Sequence, residues 1–190
     1  MRKLTKISTI AVMTAAATLI GSSTLVRAAD ADEGTAKEQH GQWSKKDYKF
    51  AHDATEGNLL EVKLGELAKQ RAANPSVQQF ADQMIQDHTK ANMELKQLAM
   101  QKGATIPDKL SHHQESEFEH MQKLSGKDFD KKYAEHTVKD HKKDVKEFQD
   151  ASKDIQDPEL KAFAQKTLPI LEHHTQMAEQ MESSLKQAEP

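Results

Sequence analysis

From about Asp47 onward, apolar residues recur every three or four positions, the period of one face of an α-helix and not the alternation of a strand. A first helix, about Asp47 to Ala73, carries Phe50, Ala54, Gly57, Leu60, Leu64, Leu67 and Ala68 on one stripe. Asn74-Pro75 supplies an N-cap and a first-turn proline for a second helix, with Val77, Phe80, Ala81, Met84, Ala91, Leu95 and Leu98 in line and Gly103 as its stop. Residues 104–127 form a long connection with a short amphipathic helix around Leu110 to Leu124, closed by Ser125-Gly126. A third long helix begins near Asp128, with Phe129, Tyr133, Thr137, Val145, Phe148 and Ala151 inward. Asp157-Pro158 repeats the cap-plus-proline signal and opens a fourth, striped by Leu160, Phe163, Ala164, Thr167, Leu171, Ala178, Met181 and Leu185. Pro169 lies inside this last helix and should kink it.

Shifting the chain against itself by 83 residues brings Asn74-Pro75-x-Val77-x-x-Phe80-Ala81 onto Asp157-Pro158-x-Leu160-x-x-Phe163-Ala164. Phe50-Ala51 then falls on Tyr133-Ala134, and Glu61-Val62 on Asp144-Val145. The chain therefore reads as a duplicated helical hairpin whose halves are joined by one long crossover, which predicts an all-α, ferritin-like four-helix bundle over residues 47–187.

The residues before the bundle read differently. Arg2, Lys3 and Lys6 precede an apolar run from Ile7 to Ile20, and Val26-Arg27-Ala28 fits a signal-peptidase site. The run is about 14 residues where a membrane span needs roughly 20, so residues 1–28 are expected to be a secretory signal cleaved near Ala28. Residues 29–46 are polar and without period, an expected flexible leader. The expected location is the periplasm or the outside of the cell, with no transmembrane segment after cleavage. The chain has no cysteine, which rules out a lipid anchor at the cleavage point and any disulfide.

Of the 27 basic residues four precede the cleavage point, and none of the 30 acids does, leaving 23 against 30, a net charge of −7. That deficit argues against nucleic acid as a partner, since phosphates are neutralised by a basic surplus. The expected partners are another envelope protein or a second copy of the chain. All ten histidines remain in the mature part.

Ionisable residues interrupt every stripe where the period calls for an apolar side chain: Glu61 on the first helix, His88 on the second, His141 and Asp144 on the third, His174 on the fourth. At 1.5 Å per residue, Glu61 and His88 both lie about 20 Å from the first hairpin's turn, and His141 and His174 about 24 Å from the second's. All five fall near mid-bundle. Imidazoles beside carboxylates in a bundle interior are the ligand set of a divalent transition metal such as Fe, Mn or Zn. The same residues also fit a polar layer that hydrogen-bonds within itself and fixes helix register without metal. Asp87 and Asp140, each beside a histidine, read either as carboxylates that orient an imidazole or as solvated helix residues. Met84, Met177 and Met181 near the histidines raise Cu(I), although methionine at helical spacing is usually core filling. Glu-x-x-His, the di-iron ligand pair, occurs only as Glu117 and His120 on the crossover, which argues against a di-iron oxidase. His112, His113 and His120 are expected to be exposed. No nucleophile–base set, phosphate loop or nucleotide fingerprint is present, so nothing marks the chain as an enzyme.

Phe50, Ala54, Gly57, Glu61-Val62, Leu64-Gly65, Leu67-Ala68, Val77, Phe80-Ala81, Met84, Asp87-His88 and Asn92 closely resemble the opening helices of the bacterial family called domain of unknown function 4142. Phe129-Asp130, Tyr133, Asp140-His141 and Phe163-Ala164-x-x-Thr167-Leu168-Pro169-x-Leu171-x-x-His174 are similar to its closing helices. The resemblance implies a ferritin-like fold and a secreted, often periplasmic or outer-membrane-associated protein, and it implies no activity. Glu61, His88, His141 and His174 fall on positions of the family pattern, whereas His173 is an addition to it. The resulting expectation is an exported bundle that binds one or two metal ions through Glu61, His88, His141, Asp144 and His174, supported by Asp87, Asp140 and His173. Its expected role is envelope stress or metal handling, and the alternative is a non-catalytic helical scaffold.

Overall fold

A computed structural model describes residues 39–188 and, within them, five helices and no strand. These are α1 (Lys45–Arg71), α2 (Pro75–Lys102), α3 (His112–Gln122), α4 (Gly126–Asp154) and α5 (Pro158–Gln187). The expected signal peptide and the first part of the leader lie outside the described residues.

Local chemistry sets the helix ends. Ser44 Oγ accepts a hydrogen bond from the Asp47 N–H, Asn74 Oδ1 from Ser76 and Asp157 Oδ1 from Leu160, so all three caps satisfy amides that have no partner inside the helix. Pro75 and Pro158 occupy first-turn positions where a missing N–H costs nothing. Gly103 closes α2 in the left-handed region at φ 66°, which a side chain would strain. α5 runs as one helix through Pro169, whose ring is exposed.

α1 pairs with α2 and α4 with α5 as two hairpins, which meet through α1 against α4 and α2 against α5, while α3 crosses over α1 and α4. The hairpins point in opposite directions. Leu67, Ala72, Val77 and Phe80 at the α1–α2 turn pack with Phe129 and Tyr133 from the start of α4 and Met181 near the end of α5. At the other end, Ile155, Leu160 and Phe163 at the α4–α5 turn pack with Trp43, Phe50 and Ala99. Phe50 and Phe148 meet edge to face, with ring centroids 5.0 Å apart. The buried core thus falls into two apolar halves, and the polar residues of the stripes lie between them.

The segment expected to be a free leader up to residue 46 is held from Gln39 onward. Trp43 is only 4 % exposed and packs into the second apolar half. The Gln42 N–H donates to the Lys102 carbonyl at 2.8 Å, and the Thr105 N–H to the Gln39 carbonyl at 2.9 Å. One indole buries enough apolar area to dock a chain that otherwise carries no hydrophobic period.

A reciprocal clasp joins the hairpins. Asp130 of α4 accepts hydrogen bonds from the Ala73 and Asn74 N–H groups in the turn of the first hairpin, at 3.1 and 2.9 Å. Asp47 of α1 accepts from Gln156 and Asp157 in the turn of the second, at 3.0 and 3.3 Å. Asp47 and Asp130 are 83 positions apart, as are the two turns, so the duplication is expressed as a two-fold exchange of carboxylates. Both are 2 % exposed. Losing either strands two sheltered amides, at about 1–3 kcal/mol. Asp47→Ala and Asp130→Ala are each expected to lower stability by about that amount in urea unfolding. Because the clasps sit at opposite ends, the double variant should add the two losses within about 0.5 kcal/mol. An unchanged midpoint in either single variant would mean that water replaces the carboxylate.

Candidate metal centre

His88 (α2), His141 (α4) and His174 (α5) are 3 %, 0 % and 1 % exposed and form a near-equilateral triangle of rings, with centroids 5.4, 5.5 and 5.4 Å apart. One nitrogen of each ring lies within 4.8 Å of the others. The second nitrogen of each is bound to an acceptor. His88 Nδ1 donates to Asn58 Oδ1 at 2.7 Å, His141 Nδ1 to the Thr137 carbonyl at 3.1 Å, and His174 Nε2 to Asp87 Oδ2 at 2.9 Å. Those acceptors fix the tautomers, because a neutral imidazole that donates from one nitrogen carries a lone pair on the other. The nitrogens left with lone pairs are His88 Nε2, His141 Nε2 and His174 Nδ1.

In those tautomers His88 Nε2 and His141 Nε2 face each other at 3.4 Å as two acceptors, and His174 Nδ1 is buried without a hydrogen-bond partner. Zn–N bonds of about 2.0–2.1 Å in a tetrahedron place their nitrogens about 3.3 Å apart. Burial, with the field of the neighbouring imidazoles, lowers the His88 pKa to about 3, so this ring stays neutral, as a ligand must. Burial also lowers His174, against the opposing pull of Asp87. Asp87 is itself held by Gln83, one turn earlier on α2, whose side-chain amide donates to it at 2.5 Å. A cleft of about 150 Å³ between α2 and α5 runs from exposed Lys90 and Ile170 inward to His88 and His174.

Glu61 (α1) is fully buried, yet neither carboxylate oxygen accepts a hydrogen bond. Its nearest cation is His136 of α4, whose Nε2 lies 3.5 Å from Oε1 while Nδ1 lies 3.2 Å from Glu117 Oε1 on α3. Burial acts to raise the Glu61 pKa, but His136 and the fields of His141 and His88 outweigh it and hold the acid at about 2. Burial acts to lower His136, but the flanking carboxylates of Glu117 and Glu61 lift it to about 10. The pair is an imidazolium between two carboxylates, beside the neutral triangle.

Of the five ligands expected, the structure brings His88, His141 and His174 together and leaves Glu61 in an adjoining group with His136 and Asp140. Asp144 joins neither group. It lines a groove between α1 and α4 with Asp140 and Glu147, and burial together with the charges of Asp140 and Glu61 raises its pKa well above the ordinary range. Asp87 does orient an imidazole, but across the bundle on His174 and not beside it on His88. Asp140 makes no hydrogen bond to His141, whose Nδ1 is taken by Thr137. His174 faces inward and His173 is exposed, because it is His174 that continues the spacing of Leu171 and Ala178 along the buried stripe. Met84 and Met181 are buried in the apolar half at the α1–α2 turn, with Met177 packed against it, which is core filling. His112, His113 and His120 are exposed.

Sequence reasoning missed Asn58, His136, Glu117 and the Thr137 carbonyl. Asn58 had a legible sign, since the 83-residue shift sets it on His141.

The described residues define a helical bundle with a buried imidazole cluster. The model of the family described as domain of unknown function (DUF4142) matches residues 32–181, and the chain belongs to that family. No curated protein sequence matches it. Among solved structures, the chain is similar to a DUF305 fragment from Deinococcus radiodurans, with a TM-score of 0.65 at 12 % identity over 76 % of this chain and 98 % of that one. It is also similar to a putative secreted DUF305 protein from Streptomyces coelicolor, with a TM-score of 0.65 at 12 % identity over 74 % of this chain and 94 % of that one. At such identities the likeness is one of fold.

The charge states of the layer set a pH dependence. His136 is protonated to about pH 10 when folded, against about 6.5 unfolded, so its contribution is complete below about pH 6.5 and lost as pH rises toward 10. His88 works oppositely: the unfolded ring takes a proton below about pH 6.5 and the folded one only near 3, so stability falls as pH drops through that window. Below about pH 4.5 the stability contributed by Glu61 is lost in turn as pH falls toward 2. In chelator, the urea midpoint should therefore peak near about pH 6.5 and decline on both sides. His136→Gln, which removes the charge that faces Glu61, Glu117 and Asp140, should flatten the alkaline limb and leave an acid limb. An alkaline limb as steep as that of the wild type would show that His136 is not the group responsible.

Proposed function

We propose that the chain is an exported, ferritin-like helical bundle that binds one transition-metal ion through His88, His141 and His174 and serves metal handling in the cell envelope. The observation that carries this reading is the opposition of two lone pairs, His88 Nε2 and His141 Nε2, at 3.4 Å in a buried layer. Two acceptors at that distance repel unless a cation or proton lies between them. Asn58, Thr137 and Asp87 hold the other nitrogens as outer partners do at metal-bound histidines. Three neutral imidazoles suit Zn(II), Cu or Fe(II) and leave little to attract Mn(II). With three protein donors and a cleft reaching His88 and His174, a fourth position is open to water or another small ligand.

A self-satisfied polar layer is the rival reading. It needs the Asn58 amide turned over so that its N–H donates to His88 Nδ1, freeing His88 Nε2–H to donate to His141. That arrangement still leaves His174 Nδ1 buried and unpartnered, so metal accounts for one more group. The export reading rests on the basic start, short apolar run and small-residue cleavage motif of residues 1–28. The similar Streptomyces coelicolor protein is itself titled a putative secreted protein.

The test is a Zn(II) titration of metal-depleted protein purified without a histidine tag. Wild type should take one tight equivalent, and at a free concentration of about 100 Kd gain about 2.7 kcal/mol, a rise of roughly 5–10 °C in Tm. The His88→Ala, His174→Ala double variant should lose that tight equivalent and the rise in Tm that comes with it. A wild type that takes up no ion and melts identically with and without Zn(II) would make the layer structural.

A further inference from the structure

We infer that a second cation site, distinct from the imidazole triangle, is built by Glu61, His136 and Asp140 on the opposite side of the polar layer. One donor atom from each of the three lies within 4.8 Å of the others. They come from two helices: Glu61 stands on α1, while His136 and Asp140 are one turn apart on the same face of α4.

Unmet valences point to a ligand. Both oxygens of the fully buried Glu61 and the Nε2 of His136 lack a hydrogen-bond partner, although a carboxylate and an imidazole in contact ordinarily bond directly. Their separation of 3.5 Å is longer than such a bond, and short enough for one ion, taking the place of the Nε2 proton of His136, to touch both. A groove of about 640 Å³ between α1 and α4, edged by α3, reaches the site at Asp140 and is lined by Asp53, Glu117, Asp144 and Glu147 along with Lys46, Lys49, Lys143 and Lys146.

The donor set selects a different ion from the triangle. Two carboxylates and one imidazole suit Mn(II) or Fe(II), with water completing the shell from the groove side, whereas three imidazoles favour Zn(II) or Cu. The two sites would then be loaded from opposite faces, one through the α2–α5 cleft and one through the α1–α4 groove. This assignment stands whether or not the triangle binds metal.

Mn(II) is the probe, followed by loss of its free six-line paramagnetic resonance signal on adding metal-depleted full-length protein. Wild type should bind one equivalent, and spin-echo modulation of the bound ion should show coupling to a single imidazole nitrogen. Asp140→Asn should weaken binding by at least about tenfold, while the His88→Ala, His174→Ala double variant should bind Mn(II) as wild type does. The nitrogen count is read on the unaltered protein, so it decides the matter even where a variant misfolds. Absence of Mn(II) binding, coupling to three nitrogens, or loss of binding in the His88, His174 variant would overturn the second site. The Zn(II) titration reads the triangle separately.

Discussion

The constraint on which the rest depends is that a helical bundle of this size has placed Asn58, Glu61, Thr137, His88, His141 and His174 together in its dry middle. Each buried polar group without a partner costs about 1–3 kcal/mol, a large share of a domain's net stability of about 5–15 kcal/mol. The fold meets this in two ways. Apolar halves above and below the layer supply the burial, and most polar atoms in it are tied to a defined acceptor. What stays untied in the layer is His174 Nδ1, both Glu61 oxygens, His136 Nε2 and the Asn58 side-chain N–H, and outside it Trp43 Nε1, Asn92 Oδ1 and Tyr133 Oη are also buried without a partner.

The duplication explains the frame and not the site. Under the 83-residue shift the caps, the phenylalanines at 80 and 163, and the clasp carboxylates at 47 and 130 all have counterparts. The site residues do not: His141 answers to Asn58, His174 to Ala91, His88 to Leu171 and Glu61 to Asp144. Two-fold geometry therefore brings these paired positions toward mid-bundle, and divergence of the copies decided which became imidazoles. Asn58 illustrates the consequence. Occupying the place that His141 holds in the other half, it acts as the acceptor that fixes the tautomer of His88.

The fold was legible because it rests on local signals. Period, caps and terminal glycine each act within a few residues, and the helix ends follow them closely. The triangle was legible for a related reason: a histidine on an apolar stripe must point inward, and helix rise sets its height. His136 was not. It sits at the edge of the stripe beside Thr137, and its importance comes from Glu61 on another helix and Glu117 on the crossover. Asp144 was misread by the same limit, since a position one turn from His141 at the stripe's margin turns into the α1–α4 groove once α1 is in place. The docking of Trp43 was hidden because a single large residue has no period.

The position of Glu61 ties the two groups together. A divalent ion among three neutral imidazoles brings charge into a region with no water, and only a nearby anion offsets the desolvation. Glu61 is that anion, buried and charged, and near enough to His88, His141 and His174 for its field to act on each of them. Without metal, the charge that keeps it ionised is His136. The imidazolium thus holds a carboxylate ready that would otherwise take up a proton on burial, and Glu117 in turn secures the imidazolium from α3. This gives the crossover helix a part in the interior electrostatics, although its own histidines lie in solvent. Displacing α3 would strip one partner from His136, weaken its hold on the proton, and leave the charge of Glu61 less well compensated at the centre of the bundle.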